Sequence, residues 1–219
     1  MFKIFLSFCL VATFVSSASA FDSDLYPYVG IILGSPLTAI NTMSDSSGSL
    51  DTEFKPGYMA GFTAGLGFET VQRWNIDRIR AEAEAGYRSS ELLRMKNSQG
   101  KSTNLSGTLT MTNYMLNGYL DNMTAFPKDT PVSLFISAGA GVAVASISSI
   151  TNHGATLVNS AKNTQLAYQG GIGAGYELSK SFGIDVTYKY LGTTPFKFAG
   201  VKAEYGSHNI LLGAKYSFK

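Results

Sequence analysis

The last stretch of the chain, residues 205–218, alternates between apolar and polar side chains with a period of two. One parity carries His208, Ile210, Leu212, Ala214, Tyr216 and Phe218, and the other carries Asn209, Leu211, Gly213, Lys215 and Ser217. A period of two predicts an extended strand with one mostly apolar face. That face must be covered by lipid or by a protein core, so this one strand restricts the folds that the whole chain can adopt.

Seven earlier segments repeat the alternation and predict seven further strands: residues 26–34, 58–69, 78–89, 108–122, 132–146, 166–178 and 182–190. Each is about as long as a tilted strand must be to cross a bilayer. The predicted connections at 35–55, 91–106, 147–163 and 193–204 are long and polar, whereas those at 70–77, 123–131 and 179–181 are shorter. Alternation of long and short connections is typical of an up-and-down membrane barrel with long extracellular loops and short periplasmic turns.

Three observations favour lipid over water on the apolar faces. The polar parity is also small, since it includes Gly61, Gly65, Gly67, Gly139, Gly141, Gly171, Gly173 and Gly175, and a narrow eight-stranded interior needs small residues. Aromatic residues of the apolar parity collect at the strand ends: Phe68, Tyr176, Phe182, Tyr216 and Phe218 at the periplasmic rim, and Tyr58, Tyr87, Tyr168, Tyr188 and Tyr190 at the outer rim. The apolar parity of residues 78–89 is rich in alanine, which fills a soluble core poorly.

These observations predict an all-β protein, an eight-stranded antiparallel up-and-down transmembrane β-barrel. Closure follows because an open sheet edge would leave unpaired backbone groups in hydrocarbon. Ten charged side chains are then predicted to point inward: Glu69, Arg78, Arg80, Glu82, Glu84, Arg88, Glu177, Asp185, Lys189 and Lys215. Opposite charges in so narrow an interior favour a mutually paired plug, with a gated ion path or proton relay as the alternative. A water-filled pocket beside the glycine-rich strands is a further possibility.

The start of the chain predicts an export signal. Residues 1–20 contain one early charge, an apolar run too short for a spanning helix, and Ala18-Ser19-Ala20, which fits a cleavage site. The predicted organisation is therefore a signal peptide at 1–20 and a barrel domain at 21–219, exported through the periplasm. Cys9 lies within the signal, so disulfides are not expected in the mature chain. With 17 basic and 15 acidic residues and no long basic run, a nucleic-acid partner is not expected.

The motifs of catalysis and of ligand binding are weak. His153 lies in a polar connection, and His208 and Ser207 fall on opposite parities, so that a set of Ser207, His208 and Glu204 is not expected to act as a triad. Asp45, Asp51 and Glu53 could bind calcium only weakly. Residues 171–175, Gly-Ile-Gly-Ala-Gly, lie inside a predicted strand with no helix after them, so they are not read as a nucleotide loop. No catalytic, cofactor-binding or metal-ligating residues are assigned.

The end of the chain resembles a known family. Gly213, Lys215, Tyr216 and Phe218 resemble the C-terminal assembly signal of Gram-negative outer-membrane barrels, although Lys219 follows the aromatic residue here. Together with the preceding residues 175–192, this ending is similar to the small opacity-type surface antigens of the OmpA/OmpX kind. The resemblance implies an outer-membrane location, contact with its lipids, and a last strand that is read by the barrel-assembly machinery.

The expected function is therefore non-enzymatic. The barrel would present its long loops for adhesion, as a surface antigen or for envelope integrity, with an extracellular ligand or host factor as partner. A narrow porin-like channel for small solutes is the alternative, and a lipid-modifying barrel enzyme is a third possibility.

Overall fold

The computed structural model describes residues 25–45, 48–73, 76–97, 102–104, 107–122, 130–152, 155–158, 161–198 and 201–218. Thirteen strands follow one another in this part of the chain: β1 (Leu25–Asp45), β2 (Gly48–Phe54), β3 (Tyr58–Arg73), β4 (Ile76–Asn97), β5 (Ser102–Asn104), β6 (Thr108–Asn122), β7 (Val132–Ile147), β8 (Ile150–Asn152), β9 (Ala155–Val158), β10 (Ala161–Glu177), β11 (Phe182–Thr193), β12 (Phe196–Phe198) and β13 (Val201–Ser217). Among the described residues, no helix is long and apolar enough to cross a membrane. The expected signal peptide lies outside the described residues.

Eight long strands form a closed antiparallel wall. Each pairs with its neighbours in the order β1, β3, β4, β6, β7, β10, β11 and β13, and β13 pairs with β1 to complete the ring. All eight strands predicted from the alternation are present. The all-β barrel is thereby confirmed, and closure satisfies the backbone of the first and last strands against each other.

The register around the ring fixes the width of the barrel. A path across the ladders starts at Val29 and returns to β1 at Ile40, having passed through Ala64, Ala83, Leu116, Ala140, Tyr168, Gly192 and Gly206. The return point is eleven residues further along β1, and the bulge between Pro36 and Thr38 accounts for one of them. Such a stagger requires tilted strands, and in an eight-stranded barrel it leaves an interior only just wide enough for side chains.

The two faces of each strand have the predicted chemistry. On β6, the adjacent residues Met115 and Leu116 differ in exposure from 2% to 73%. Phe62, Ile172 and Leu212 are likewise exposed on the outer surface. The apolar parity therefore faces outward, and the mixed polar parity fills the lumen. The aromatic residues predicted for the two rims also lie on the outward parity.

The long connections contain more strand than was predicted. Residues 35–55 were expected to be a loop, but β1 continues to Asp45 and returns as β2, while β4 continues to Asn97 and pairs with β5. Short strands also lie in the other long connections: β8 and β9 pair with each other, and β12 pairs with β13. Because both faces of a strand above the membrane can be solvated, no apolar alternation is required there, and the pattern that reveals spanning strands is lost.

These continuations form one sheet above part of the wall. Its strands lie in the order β12, β13, β1, β2, β4 and β5. We call the parts of these strands that extend beyond the barrel ring the outer sheet. At the opposite end of the barrel the connection between β10 and β11 is short, as periplasmic turns are. The outer sheet is therefore assigned to the extracellular side.

Candidate functional site

The periplasmic end of the lumen contains a cluster of ion pairs around Asp121. The Arg80 guanidinium binds both carboxylate oxygens, with Nε to Oδ2 at 2.9 Å and Nη2 to Oδ1 at 2.9 Å. Arg78 donates from Nε to the same Oδ2 at 2.8 Å and from Nη1 to Glu177 at 2.9 Å. A bidentate arginine–carboxylate pair is among the stronger polar contacts in proteins. Two strands, β4 and β6, are thereby connected across the inside of the wall.

Aromatic rings and a second ion pair surround this cluster. The Arg80 guanidinium carbon lies 4.3 Å from the centre of the Tyr119 ring and 5.2 Å from that of Phe135, which places it within range of cation–π attraction. Lys215 binds Asp185 at 2.9 Å. The cavity left at this mouth is about 60 Å³, room for a few water molecules rather than for a solute path.

Two glutamates hold the middle of the lumen. Glu82 accepts hydrogen bonds from the hydroxyls of Tyr28, at 3.0 Å, and Tyr119, at 2.7 Å. Glu84 accepts a 2.9 Å hydrogen bond from Lys189. It also accepts hydrogen bonds from three side-chain amides: those of Asn113, Asn117 and Gln169. The donors lie on β6, β10 and β11, so Glu84 joins four strands of the wall across the interior.

Arg88 is the charged group of this network that lies nearest to the extracellular end. Its guanidinium donates to Ser207 Oγ at 3.1 Å and to Asn113 Oδ1 at 3.2 Å. The side chain is buried, and Nε has no hydrogen-bond partner in the described part of the chain. In the described part of the chain, Arg88 therefore donates only to uncharged side chains, whereas Arg78 and Arg80 donate to carboxylates.

The extracellular half of the lumen contains a large apolar cluster. A buried cluster there comprises Leu109, Met111, Met115, Ala143, Ala145, Ala167, Leu191 and Tyr205. A second, smaller cluster comprises Ile32, Met59 and Leu211. Leu191 is fully buried and Met111 is 1% exposed. Because close-packed apolar side chains leave no path for hydrated ions, this half closes the lumen independently of the ion pairs below.

Glycines of the inward parity make room for these side chains. A Cβ atom at Gly67 would overlap the Tyr26 ring, and one at Gly173 would overlap the Phe135 ring. At Gly139 it would overlap the Asn117 side chain. Side chains from neighbouring strands thus occupy much of the glycine-rich side of the barrel, and the small cavity at the periplasmic mouth is lined in part by Ser133, Phe135 and Gly175 of that side.

The predicted inward charges are confirmed with one exception. Glu69 lies on the inward parity but is exposed at the periplasmic rim, because β3 extends beyond the packed interior at that point. Asp121, the acceptor for two arginines, was not among the predicted inward charges. Its inward parity on residues 108–122 was the only available indication, and the alternation in that segment is weak.

The residues considered for catalysis and metal binding lie apart. Ser207 faces the lumen and accepts from Arg88, whereas His208 faces outward and its Nδ1 lies 2.6 Å from the Tyr188 hydroxyl. His153 lies outside the described residues, as do the side chains of Asp45, Asp51 and Glu53. In the part of the chain that is described, no group of acidic, histidine or cysteine side chains is arranged to hold a metal ion. Residues 171–175 lie within β10, as predicted.

An outward apolar belt, a closed ring of eight strands and a polar interior together define an outer-membrane β-barrel protein. The model of the family described as "Outer membrane protein beta-barrel domain" matches residues 6–218. The chain belongs to that family, and it is a protein of the outer membrane.

Relatives share this class. The chain is 33% identical over 132 residues to the outer membrane protein PagN of Salmonella typhimurium, a match that covers 52% of this chain and 53% of PagN. The chain thus spans about half the length of this curated relative. Neisserial surface protein A is similar in structure, with a TM-score of 0.46 and 18% identity, covering 88% of this chain and 97% of that one. Ail, the attachment invasion locus protein of Yersinia pestis, gives 0.38 and 22%, covering 88% and 99%.

Proposed function

We propose that this protein is a non-enzymatic adhesin-type barrel that binds an extracellular partner, such as a host-cell or matrix component, through the outer sheet. The observation that carries this proposal is the continuation of the wall into β12, β13, β1, β2, β4 and β5. A rigid barrel beneath a paired sheet holds the binding surface in one conformation, which lowers the entropic cost of association. Recognition on such scaffolds resides in the exposed connections.

The filled lumen argues against the channel alternative. Ion pairs occupy one half and packed methionine and leucine side chains occupy the other, so transport would require both layers to rearrange. The separation of Ser207 from His208 likewise argues against a lipid-modifying enzyme. Presentation of a binding surface is the function that uses the outer sheet, which a plain eight-stranded barrel lacks.

We also infer how the chain reaches the membrane. Residues 1–20 act as a removable export signal, and β13 is the segment that the barrel-assembly machinery reads. β13 supports this role because it closes the ring against β1 and carries the outward aromatic Tyr216. Amino-terminal sequencing of the mature protein that begins at Phe21 would agree with the first inference, and a start at any other residue would contradict it.

The binding role is tested by shortening one hairpin. Ile40 pairs with Glu53, so replacing residues 41–52 by Asn-Gly would join a paired position with a tight turn and leave the barrel ring intact. Bacteria that display the wild-type chain should adhere to epithelial monolayers or to surfaces coated with matrix protein, and the shortened variant should lose most of that adherence.

The matched control shortens a hairpin outside the outer sheet. Ile150 pairs with Val158, so replacing residues 151–157 by the same turn removes the tip of β8 and β9. Adherence should persist in this variant. Both variants should keep the gel shift on boiling that marks a folded barrel. The proposal would be contradicted if only the control variant lost adherence. It would also be contradicted if the wild-type chain gave no adherence.

A further inference from the structure

The four residues that resemble an assembly signal at the end of the chain divide between the two faces of β13. Tyr216 is 49% exposed on the outward face, where its ring meets that of Phe218 edge to face, with 5.1 Å between the ring centres. Gly213 and Lys215 lie on the opposite parity, which faces the lumen. A machinery that reads the outside of the strand therefore meets the two aromatic residues but not the two lumen residues.

Gly213 leaves the space that the Asp185 carboxylate occupies. The two residues are directly opposite each other in the ladder between β11 and β13. A Cβ atom at Gly213 would lie 2.6 Å and 2.7 Å from the two carboxylate oxygens of Asp185. These distances are well inside the separation of about 3.5 Å at which non-bonded atoms pack. Any side chain at this position would therefore displace the carboxylate.

Two other groups hold the carboxylate in that space. Lys215 Nζ lies 2.9 Å from Oδ2 of Asp185, and the Thr187 hydroxyl donates to Oδ1 at 3.1 Å. Asp185 is 8% exposed, so these contacts are shielded from water. Because the aspartate side chain is short, a carboxylate that moved away from Gly213 would lose one or both of them. Gly213 thus makes room for an ion pair that connects β13 to β11 on the lumen side.

The ion pair lies close to the point where β13 ends at the periplasmic rim. The Ser217 N–H donates to the Ser181 carbonyl at 2.7 Å, and the Phe218 N–H donates to the Pro27 carbonyl at 2.9 Å. β13 closes the ring, since it pairs with both β11 and β1. Backbone hydrogen bonds at the end of an element open most readily, because they are exposed and have few packed neighbours. A buried ion pair just inside this end opposes such opening.

We propose that the two faces of this ending have separate roles. The outward aromatic residues are recognised during assembly, and Gly213, Asp185 and Lys215 keep the closing strand in place afterwards. We call these three residues the closing site. The recognition role rests on the proposed function of β13 in assembly, whereas the closing site acts in the folded barrel. It slows the separation of β13 from β11.

The unfolding rate of the mature barrel in liposomes tests the closing site. Gly213→Ala should raise the rate of unfolding in urea roughly tenfold, the equivalent of one hydrogen bond to a charged group. Gly118→Ala on β6 is the matched control. In the described part of the chain, a Cβ atom at Gly118 meets nothing within 4 Å apart from its chain neighbours. The unfolding rate of this control should stay within about twofold of the wild-type rate.

A double variant shows whether the effect of Gly213→Ala passes through the carboxylate. In an Asp185→Ala background the new methyl group has no carboxylate to displace, so adding Gly213→Ala should change the unfolding rate by less than about twofold. If Gly213→Ala alone does not fold, the double variant should still give the boiling-dependent gel shift. An equal effect of Gly213→Ala in both backgrounds, or a double variant that also fails to fold, would overturn the closing site.

Pulse-labelling in cells separates recognition from stability. The folded form of Gly213→Ala should appear at the wild-type rate, whereas that of Tyr216→Leu, which keeps an apolar outward side chain, should appear several times more slowly. Slow appearance of folded Gly213→Ala with an unchanged unfolding rate would overturn the inference, because the glycine would then be recognised directly. Normal appearance of folded Tyr216→Leu would overturn the recognition role of β13, and the unfolding rates would still decide the closing site.

Discussion

The two halves of the lumen are filled by opposite kinds of chemistry. The periplasmic half is held by charged pairs, such as Arg80 with Asp121, and the extracellular half by apolar side chains, such as Met115 and Leu191. The charged half specifies which strands face each other, because a buried carboxylate must meet cations or hydrogen-bond donors from other strands. The apolar half excludes water without such pairing. A barrel of this width can therefore be sealed twice, and the two seals should respond differently to substitution.

The largest effect is expected in the charged half at Glu84. Glu84→Gln keeps an oxygen for the surrounding amides but leaves Lys189 buried without its counter-charge. Breaking a buried ion pair by removing one partner costs about 3–5 kcal/mol. Urea unfolding in lipid bilayers, followed by the gel shift on boiling, should show a destabilisation of that size.

A double variant separates the effect of losing the ion pair from the effect of leaving the Lys189 charge unpaired. Glu84→Gln combined with Lys189→Met removes both charges, and stability should recover most of the loss. A double variant as unstable as Glu84→Gln alone would show that the amide contacts of Glu84, rather than its charge, hold the middle of the lumen.

An intermediate effect is expected in the apolar half at Met115. Met115→Ala opens a void between close-packed side chains and should cost about 2–5 kcal/mol. The adjacent Leu116 provides the control because lipid can fill the space that its truncation leaves, so Leu116→Ala should cost less than about 2 kcal/mol. Equal losses of unfolding free energy in bilayers would contradict the assignment of Met115 to the lumen and Leu116 to lipid.

The smallest effect is expected where the two halves meet. Arg88 is buried, but its direct described contacts are neutral, and its Nε has no described partner. Arg88→Met removes a desolvated charge that has no carboxylate in direct contact, and it extends the apolar cluster. The change in unfolding free energy should therefore lie within about 1 kcal/mol of zero. The same urea titration checks this. A loss as large as that of Glu84→Gln would place Arg88 within the charged half.

Alternation along the chain was enough to predict the wall, because a spanning strand must turn one parity to lipid over its whole length. It also separated Ser207 from His208. The continuation of β1 to Asp45 was not predicted, since above the membrane neither face has to be apolar. Parity also cannot say which inward residues meet. Glu84 and Lys189 are 105 residues apart, and their contact depends on the register of four ladders. Asp121 was missed as the acceptor for both arginines for the same reason.

The sealed lumen is tested most directly by single-channel recording of the purified barrel in planar bilayers. Because both halves are filled, we expect a closed trace with no conductance steps under applied voltage, in preparations that show the boiling-dependent gel shift. Regular, reproducible steps from the folded protein would contradict the account and would restore a pore as its function.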